Sequence, residues 1–127
     1  MARILIVDDE EMDRVLLAEI LRQAGHEPLF ASNGQAALRL WRKSDIDLVV
    51  TDIVMPELDG LELLKSLREE DPWVRVIAIS GITAKKLNQA ARSGALAILT
   101  KPVDPDELVR EISQALANTG PQRETES

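Results

Sequence analysis

Five short aliphatic runs constrain this chain more than any other feature: Ile4 to Val7, Pro28 to Ala31, Leu48 to Val50, Val76 to Ile79 and Ala97 to Leu99. They recur at intervals long enough for one helix and its two connections. Apolar runs without polar alternation are the pattern of strands covered on both faces, as in a parallel sheet. The segments between them carry helical spacing. Met12, Val15, Leu16 and Ile20 form one apolar stripe, and Gly25 follows where a left-handed cap would end the helix. Ser32-Asn33-Gly34 leads into Ala37, Leu38 and Trp41, and Gly60 into Leu61, Leu64 and Leu67. Thr83 opens a fourth helical segment with Leu87, Ala90 and Ala91 before Gly94. Asp104 as cap, Pro105 in the first helical position and Glu107 in a capping-box-like place mark a fifth, running through Leu108, Val109, Ile112 and Leu116.

Five βα units in succession predict an α/β fold: a doubly wound, five-stranded parallel sheet in the order 2-1-3-4-5, a flavodoxin-like (βα)5 arrangement. Its ligands are expected at the switch point between strands 1 and 3. The 127 residues suffice for one core and not for two. We expect one domain over 2–117, and in 118–127, which holds no aliphatic residue, a disordered tail or the start of a linker.

Composition excludes several functions. Fifteen Lys and Arg against 22 Asp and Glu leave a net charge of −7, which disfavours direct nucleic-acid binding and an anionic membrane surface. Phe30, Trp41 and Trp73 are too few aromatics for a base-stacking platform. Without cysteine there is no disulfide, thiol nucleophile or zinc-thiolate site. The amino-terminal apolar stretch, Ile4 to Val7, is far short of a signal-peptide core or a membrane span, so a cytoplasmic protein is expected.

The polar residues that directly follow the strands carry the chemistry. Strand 1 ends in Asp8-Asp9, strand 3 in Thr51-Asp52, strand 4 in Ser80-Gly81 and strand 5 in Thr100-Lys101-Pro102. Strand 2, at the sheet edge, ends in Ala31-Ser32 without charge. In the predicted order, three carboxylates, a hydroxyl and an ammonium converge on one crevice. Carboxylates that close raise one another's proton affinity unless a cation neutralises them, and an all-oxygen set suits magnesium rather than zinc. Asp52, between the strand 1 acids and the polar groups of strands 4 and 5, is best placed to act as a nucleophile towards a phosphoryl group, giving an aspartyl phosphate. Lys101 would then pair a phosphoryl oxygen and Ser80 donate its hydroxyl to the modified group.

These residues resemble the receiver domain of bacterial two-component response regulators over about residues 2–117. Val7-Asp8-Asp9-Glu10, Asp52-Ile53-Val54-Met55-Pro56-Glu57-Leu58-Asp59-Gly60, Ser80-Gly81 and Lys101-Pro102 fall in order and at family spacing. The resemblance implies a phosphoprotein that takes a phosphoryl group on Asp52 from a sensor histidine kinase or histidine phosphotransfer protein. It implies Mg2+ bound directly by Asp9, Asp52 and the backbone carbonyl of Val54, with Asp8 acting through water, and a cis Lys101–Pro102 bond. The downstream protein or output domain would be met through the face made by the fourth helix, the fifth strand and the fifth helix. One departure stands out: Ile98, three residues before the lysine, occupies a position where many members carry an aromatic switch residue. Val54 and Ile82, flanking the site, have side chains that cannot position a hydrolytic water, so slow loss of the phosphoryl group is expected rather than enzymatic turnover.

Blander readings compete. The acids from Asp8 to Glu11 also suit the start of a helix, and Asp59-Gly60 a turn and cap. Lys85, Lys86 and Arg92 also read as a solvated helix face, and Trp41 and Trp73 as packing residues. His26, the single histidine, follows a helix-ending glycine, reads as exposed and gives no support to a Ser-His-Asp triad. A metal-dependent phosphatase of the haloacid dehalogenase type would place its nucleophile in Asp-x-Asp after strand 1, whereas here that pair is adjacent. A nucleotide-binding fold would need a Gly-rich first turn, and this one reads Asp-Asp-Glu-Glu.

Overall fold

The computed structural model describes residues 2–53, 60–81 and 94–117. In chain order the elements are β1 (Arg3–Val7), α1 (Glu11–Gln23), β2 (Glu27–Ala31), α2 (Gly34–Lys43), β3 (Leu48–Asp52), α3 (Gly60–Glu70), β4 (Val76–Ser80), β5 (Ala97–Thr100) and α4 (Pro105–Ala117). The predicted fourth helix and the 118–127 tail lie outside the described residues, as do Val54, Asp59, Ile82, Lys85, Lys86 and Arg92.

The five strands form one sheet in the order β2-β1-β3-β4-β5, with every neighbouring pair parallel. The continuous apolar runs follow from this architecture, because successive side chains of a strand enter opposite cores. Ile4 and Ile6 of β1, Val50 of β3 and Ile77 and Ile79 of β4 pack on one face with Leu17 and Leu21 of α1 and Leu108 and Ile112 of α4. Leu5, Val7, Val49 and Val76 pack on the other with Ala37 of α2 and Leu63, Leu64 and Leu67 of α3. A one-residue slip in any central strand would exchange the two cores, so the sequence holds its register firmly.

Local signals set the element ends. Asn33 caps α2, its side-chain oxygen accepting from the Ala36 amide at 2.8 Å. Asp104 Oδ1 accepts from the Asp106 amide at 3.1 Å at the start of α4. After α1, Gly25 adopts φ +87°, a left-handed conformation that side chains beyond glycine rarely take. His26 is half-buried rather than exposed; its Nδ1 accepts from the Ala2 amide at 3.1 Å. Burial and the nearby positive amino terminus push its pKa down from the ordinary histidine value.

The core face of α1 differs from the expected stripe. Leu17, Ala18, Ile20 and Leu21 are buried, whereas Met12, Val15 and Leu16 are 83%, 61% and 54% exposed. The helix carries two apolar stripes back to back, with Ile20 at their border, and a 3.6-residue period identifies both without choosing between them. Truncating the two faces separates them: Leu21→Ala, at a fully buried site, is expected to destabilise by about 2–5 kcal/mol, while Leu16→Ala stays within about 1 kcal/mol in urea unfolding.

Candidate functional site

Register brings the site together. Val7 of β1 pairs with Thr51 of β3, so Asp8 and Asp52 emerge side by side at the carboxyl ends of adjacent strands. Asp52 pairs with Ile79 of β4, and Ser80 pairs with Thr100 of β5, which sets Lys101 level with them. The Lys101 amide donates to the Ser80 carbonyl at 3.0 Å, tying the lysine's backbone to β4. Strand β2 lies beyond β1 and contributes no charged group at this end.

Lys101 is the hub. Its Nζ lies 3.1 Å from Asp52 Oδ2, 3.0 Å from Asp13 Oδ2 and 3.4 Å from Asp8 Oδ2. Burial works against the ammonium, but hydrogen bonds to Asp13 and Asp52 and the charges of Asp52 and Asp8 outweigh it and hold its pKa well above the ordinary lysine value. Asp8 is 1% exposed; its Oδ1 accepts from the Glu10 amide at 2.9 Å, and its carbonyl accepts from Arg14 Nη1 at 2.7 Å. Desolvation pushes the Asp8 carboxyl above its ordinary pKa, the Glu10 amide and Lys101 pull it back, and the charges of Asp52 and Asp13 add to the rise. Asp52 is 8% exposed and Ser80 fully buried.

Carboxylate oxygens of Asp8, Asp9 and Asp52 all lie within 4.8 Å of one another. In an octahedral Mg2+ shell neighbouring ligand oxygens stand about 3 Å apart and opposite ones about 4 Å, so this all-oxygen set has the spread a hard divalent cation takes. Three carboxylates, Asp8, Asp13 and Asp52, pair with one ammonium and Asp9 stands beside two of them, and the negative excess gives such a cation an electrostatic reason to bind. Next to the carboxylates a cleft of about 470 Å³ is lined by Asp8, Asp13, Leu16, Lys101, Pro102 and Val103. A second cleft, of about 340 Å³, lies at the opposite end of the sheet between the half-buried Trp41 and Trp73, away from these groups.

Asp8, Asp9, Asp52, Ser80 and Lys101 thus gather at one end of the sheet, while Val54 lies outside the described residues. The Lys101–Pro102 bond is cis. Ile98 is half-buried against Ile53 and Ala78. Two participants escaped the sequence reading. Asp13 lies in the first turn of α1, four residues after Asp9, and its closeness in sequence to the strand 1 acids was the available signal. Gly60 does more than turn the chain: its amide donates to the Ile53 carbonyl at 2.9 Å, and a Cβ there would collide with the Asp52 carbonyl. Close approach of α3 to the backbone of the central carboxylate requires a residue without a side chain.

Residues 4–113 match the response regulator receiver domain family. A response regulator receiver protein of Anaeromyxobacter sp. (strain Fw109-5) is 46% identical over 104 residues, covering 81% of this chain and 44% of its own length. Several curated relatives are longer still, and the chain spans about a quarter of their length. The response regulator receiver protein CpdR of Brucella abortus is 36% identical, with 91% of this chain and 98% of CpdR covered. Among solved structures, response regulator protein TrrA of Thermotoga maritima in complex with Mg(2+)-BeF superposes with a TM-score of 0.84 at 32% identity, covering 91% of this chain and 99% of TrrA. Among the described residues no helix is long and apolar enough to cross a membrane.

The raised Asp8 pKa fixes the sign of a stability effect. A carboxyl whose pKa is higher folded than unfolded leaves the folded state binding more protons between the two values, so stability falls as pH rises through that interval. Asp8→Asn keeps the acceptor for the Glu10 amide and leaves Lys101 two carboxylates. In EDTA at neutral pH it is expected to stabilise the protein by about 1 kcal/mol, read as a higher thermal midpoint, with the gain fading as pH is lowered through the Asp8 titration. An unchanged or lower midpoint would contradict this account of the site.

Proposed function

Because this chain belongs to the response regulator receiver domain family, we propose that it is a phosphoacceptor receiver of a two-component pathway, in which Asp52 takes a phosphoryl group from a phosphohistidine of a sensor kinase or histidine phosphotransfer protein. The observation that carries this reading is the Asp52 carboxylate, at the end of a central strand, 3.1 Å from an ammonium and beside two further carboxylates. Asp8 is less suited to attack, since one of its oxygens is engaged by the Glu10 amide and the residue is almost wholly enclosed. Asp9 is exposed, and the ion pairs of Lys101 run to Asp8, Asp13 and Asp52.

In the transfer, an Asp52 oxygen forms a bond to phosphorus as the phosphorus–nitrogen bond to the donor imidazole breaks, and the electron pair of that bond stays on the ring nitrogen. The product is an acyl phosphate. Lys101 pairs a phosphoryl oxygen as a point charge, and the Ser80 hydroxyl donates to the phosphoryl group once it is in place. Asp9, Asp52 and the Val54 carbonyl, with Asp8 through water, would hold Mg2+, which when bound neutralises charge on the transferring oxygens. The hydrogen bond from Ser80 exists only in the modified state, and such a differential contact biases a two-state surface. With Ile98 at the strand 5 position, that bias runs through aliphatic packing against Ile53 and Ala78 rather than through an aromatic ring.

The exposed Met12, Val15 and Leu16 stand beside the cleft that opens on Lys101, a surface suited to the apolar face of a donor helix. The output side is the face that includes β5 and α4, meeting a downstream protein or an output domain of the same chain. Residues 2–117 form the receiver and 118–127 a tail or the start of a linker. The protein acts in the cytoplasm, without contacting nucleic acid or membrane through this domain.

Mass measurement after incubation with acetyl phosphate and Mg2+ tests this reading. The wild type is expected to gain one phosphoryl group, abolished by EDTA or by Asp52→Ala, and to keep it for minutes after donor removal. An unmodified wild type, or release of many equivalents of phosphate per chain, would overturn it.

A further inference from the structure

Asp13 occupies an unusual place in the site. Its Oδ2 makes the shortest ion pair of Lys101, at 3.0 Å, against 3.1 Å for Asp52 and 3.4 Å for Asp8. The ammonium has three protons and faces three carboxylates, so no N–H remains for a phosphoryl oxygen until one carboxylate yields. The three are not equally able to yield. Asp52 is enclosed at a strand end, and Asp8 is enclosed and fixed by the Glu10 amide. The Asp13 side chain is one-third exposed, sits in the first turn of α1 and lines the cleft that leads to Lys101. A carboxylate so placed recovers hydration when it lets go, whereas the other two are enclosed and would give up the ammonium without gaining water. The Arg14 guanidinium, one residue on, donates to the Asp8 carbonyl, and Glu10 and Glu11 add negative charge to the same helix start.

We propose that Asp13 is a positioning residue for phosphoryl transfer: it holds the Lys101 ammonium before the reaction and competes for it with the incoming phosphoryl group, so that phosphorylation proceeds by exchange of Asp13 for a phosphoryl oxygen on Lys101. The proposal rests on Asp52 as the phosphoacceptor. Asp13 therefore acts as a brake on anionic donors, through its hold on the lysine and through its charge at the mouth of the cleft. The same charge favours a divalent cation at Asp8, Asp9 and Asp52, so its removal shifts the two ligands in opposite directions.

Asp13→Asn is close to isosteric and keeps an oxygen acceptor for Lys101, and Asp13→Glu restores the charge. At constant ionic strength, Asp13→Asn is expected to lower the half-saturating concentration of acetyl phosphate for the single modification, its KM, by about three- to ten-fold with a smaller change in the limiting rate constant, and to weaken Mg2+ binding by about two- to three-fold. Asp13→Glu should return both values towards wild type. A general structural lesion would impair both ligands together, and a lesser structural role would move neither. An unchanged or raised KM in Asp13→Asn, or weakening of both ligands in parallel, would overturn the proposal. Failure of the wild type to be modified, read in the same experiment by mass, would instead remove the assignment of Asp52 on which it rests.

Discussion

The structure depends on one charge imbalance. A single ammonium, Lys101, meets Asp52, Asp13 and Asp8 within 3.0 to 3.4 Å, while Asp9 stands close enough to share a cation with two of them. Taking a carboxylate out of water is unfavourable, and the Asp8 pKa, raised chiefly by desolvation and further by the charges of Asp52 and Asp13, reflects that cost. A fold can hold such a cluster only where much of the surrounding chain is well packed. Here the two apolar layers of a five-stranded parallel sheet supply that packing, and the cluster sits where the layers end.

The sheet order explains why the cluster forms at this end of the sheet. Strands β1, β3, β4 and β5 are successive neighbours, so residues at or just past their carboxyl ends become neighbours too. The chain leaves β1 in one direction to build β2 and returns on the other side to build β3, which opens a crevice between them at the strand ends. Gly60 keeps α3 against the backbone of Asp52 and Ile53, so the central carboxylate is backed by helix rather than by solvent. Function in this molecule is a by-product of topology combined with a few polar residues at strand ends.

The five strands and their order were legible because continuous apolar runs admit few alternatives, and the convergence of Asp8, Asp9, Asp52, Ser80 and Lys101 followed from that order. The core face of α1 was not legible: Met12, Val15 and Leu16 obey the same period as Leu17, Ile20 and Leu21, and only the packed sheet distinguishes them. Asp13 was hidden for a related reason. It lies among other acids at a helix start, where a carboxylate has an ordinary role against the helix dipole, and its pairing with Lys101 spans 88 positions of sequence. The close approach at Gly60 leaves no trace in sequence beyond the glycine itself.

If the charge imbalance governs the site, a divalent cation must bind it, and calorimetric titration with Mg2+ tests this most directly. The wild type is predicted to bind one Mg2+ per chain, with binding weakened at least about tenfold by Asp9→Ala and by Asp52→Asn. Absence of binding in the wild type, or undiminished binding in both variants, would contradict the account.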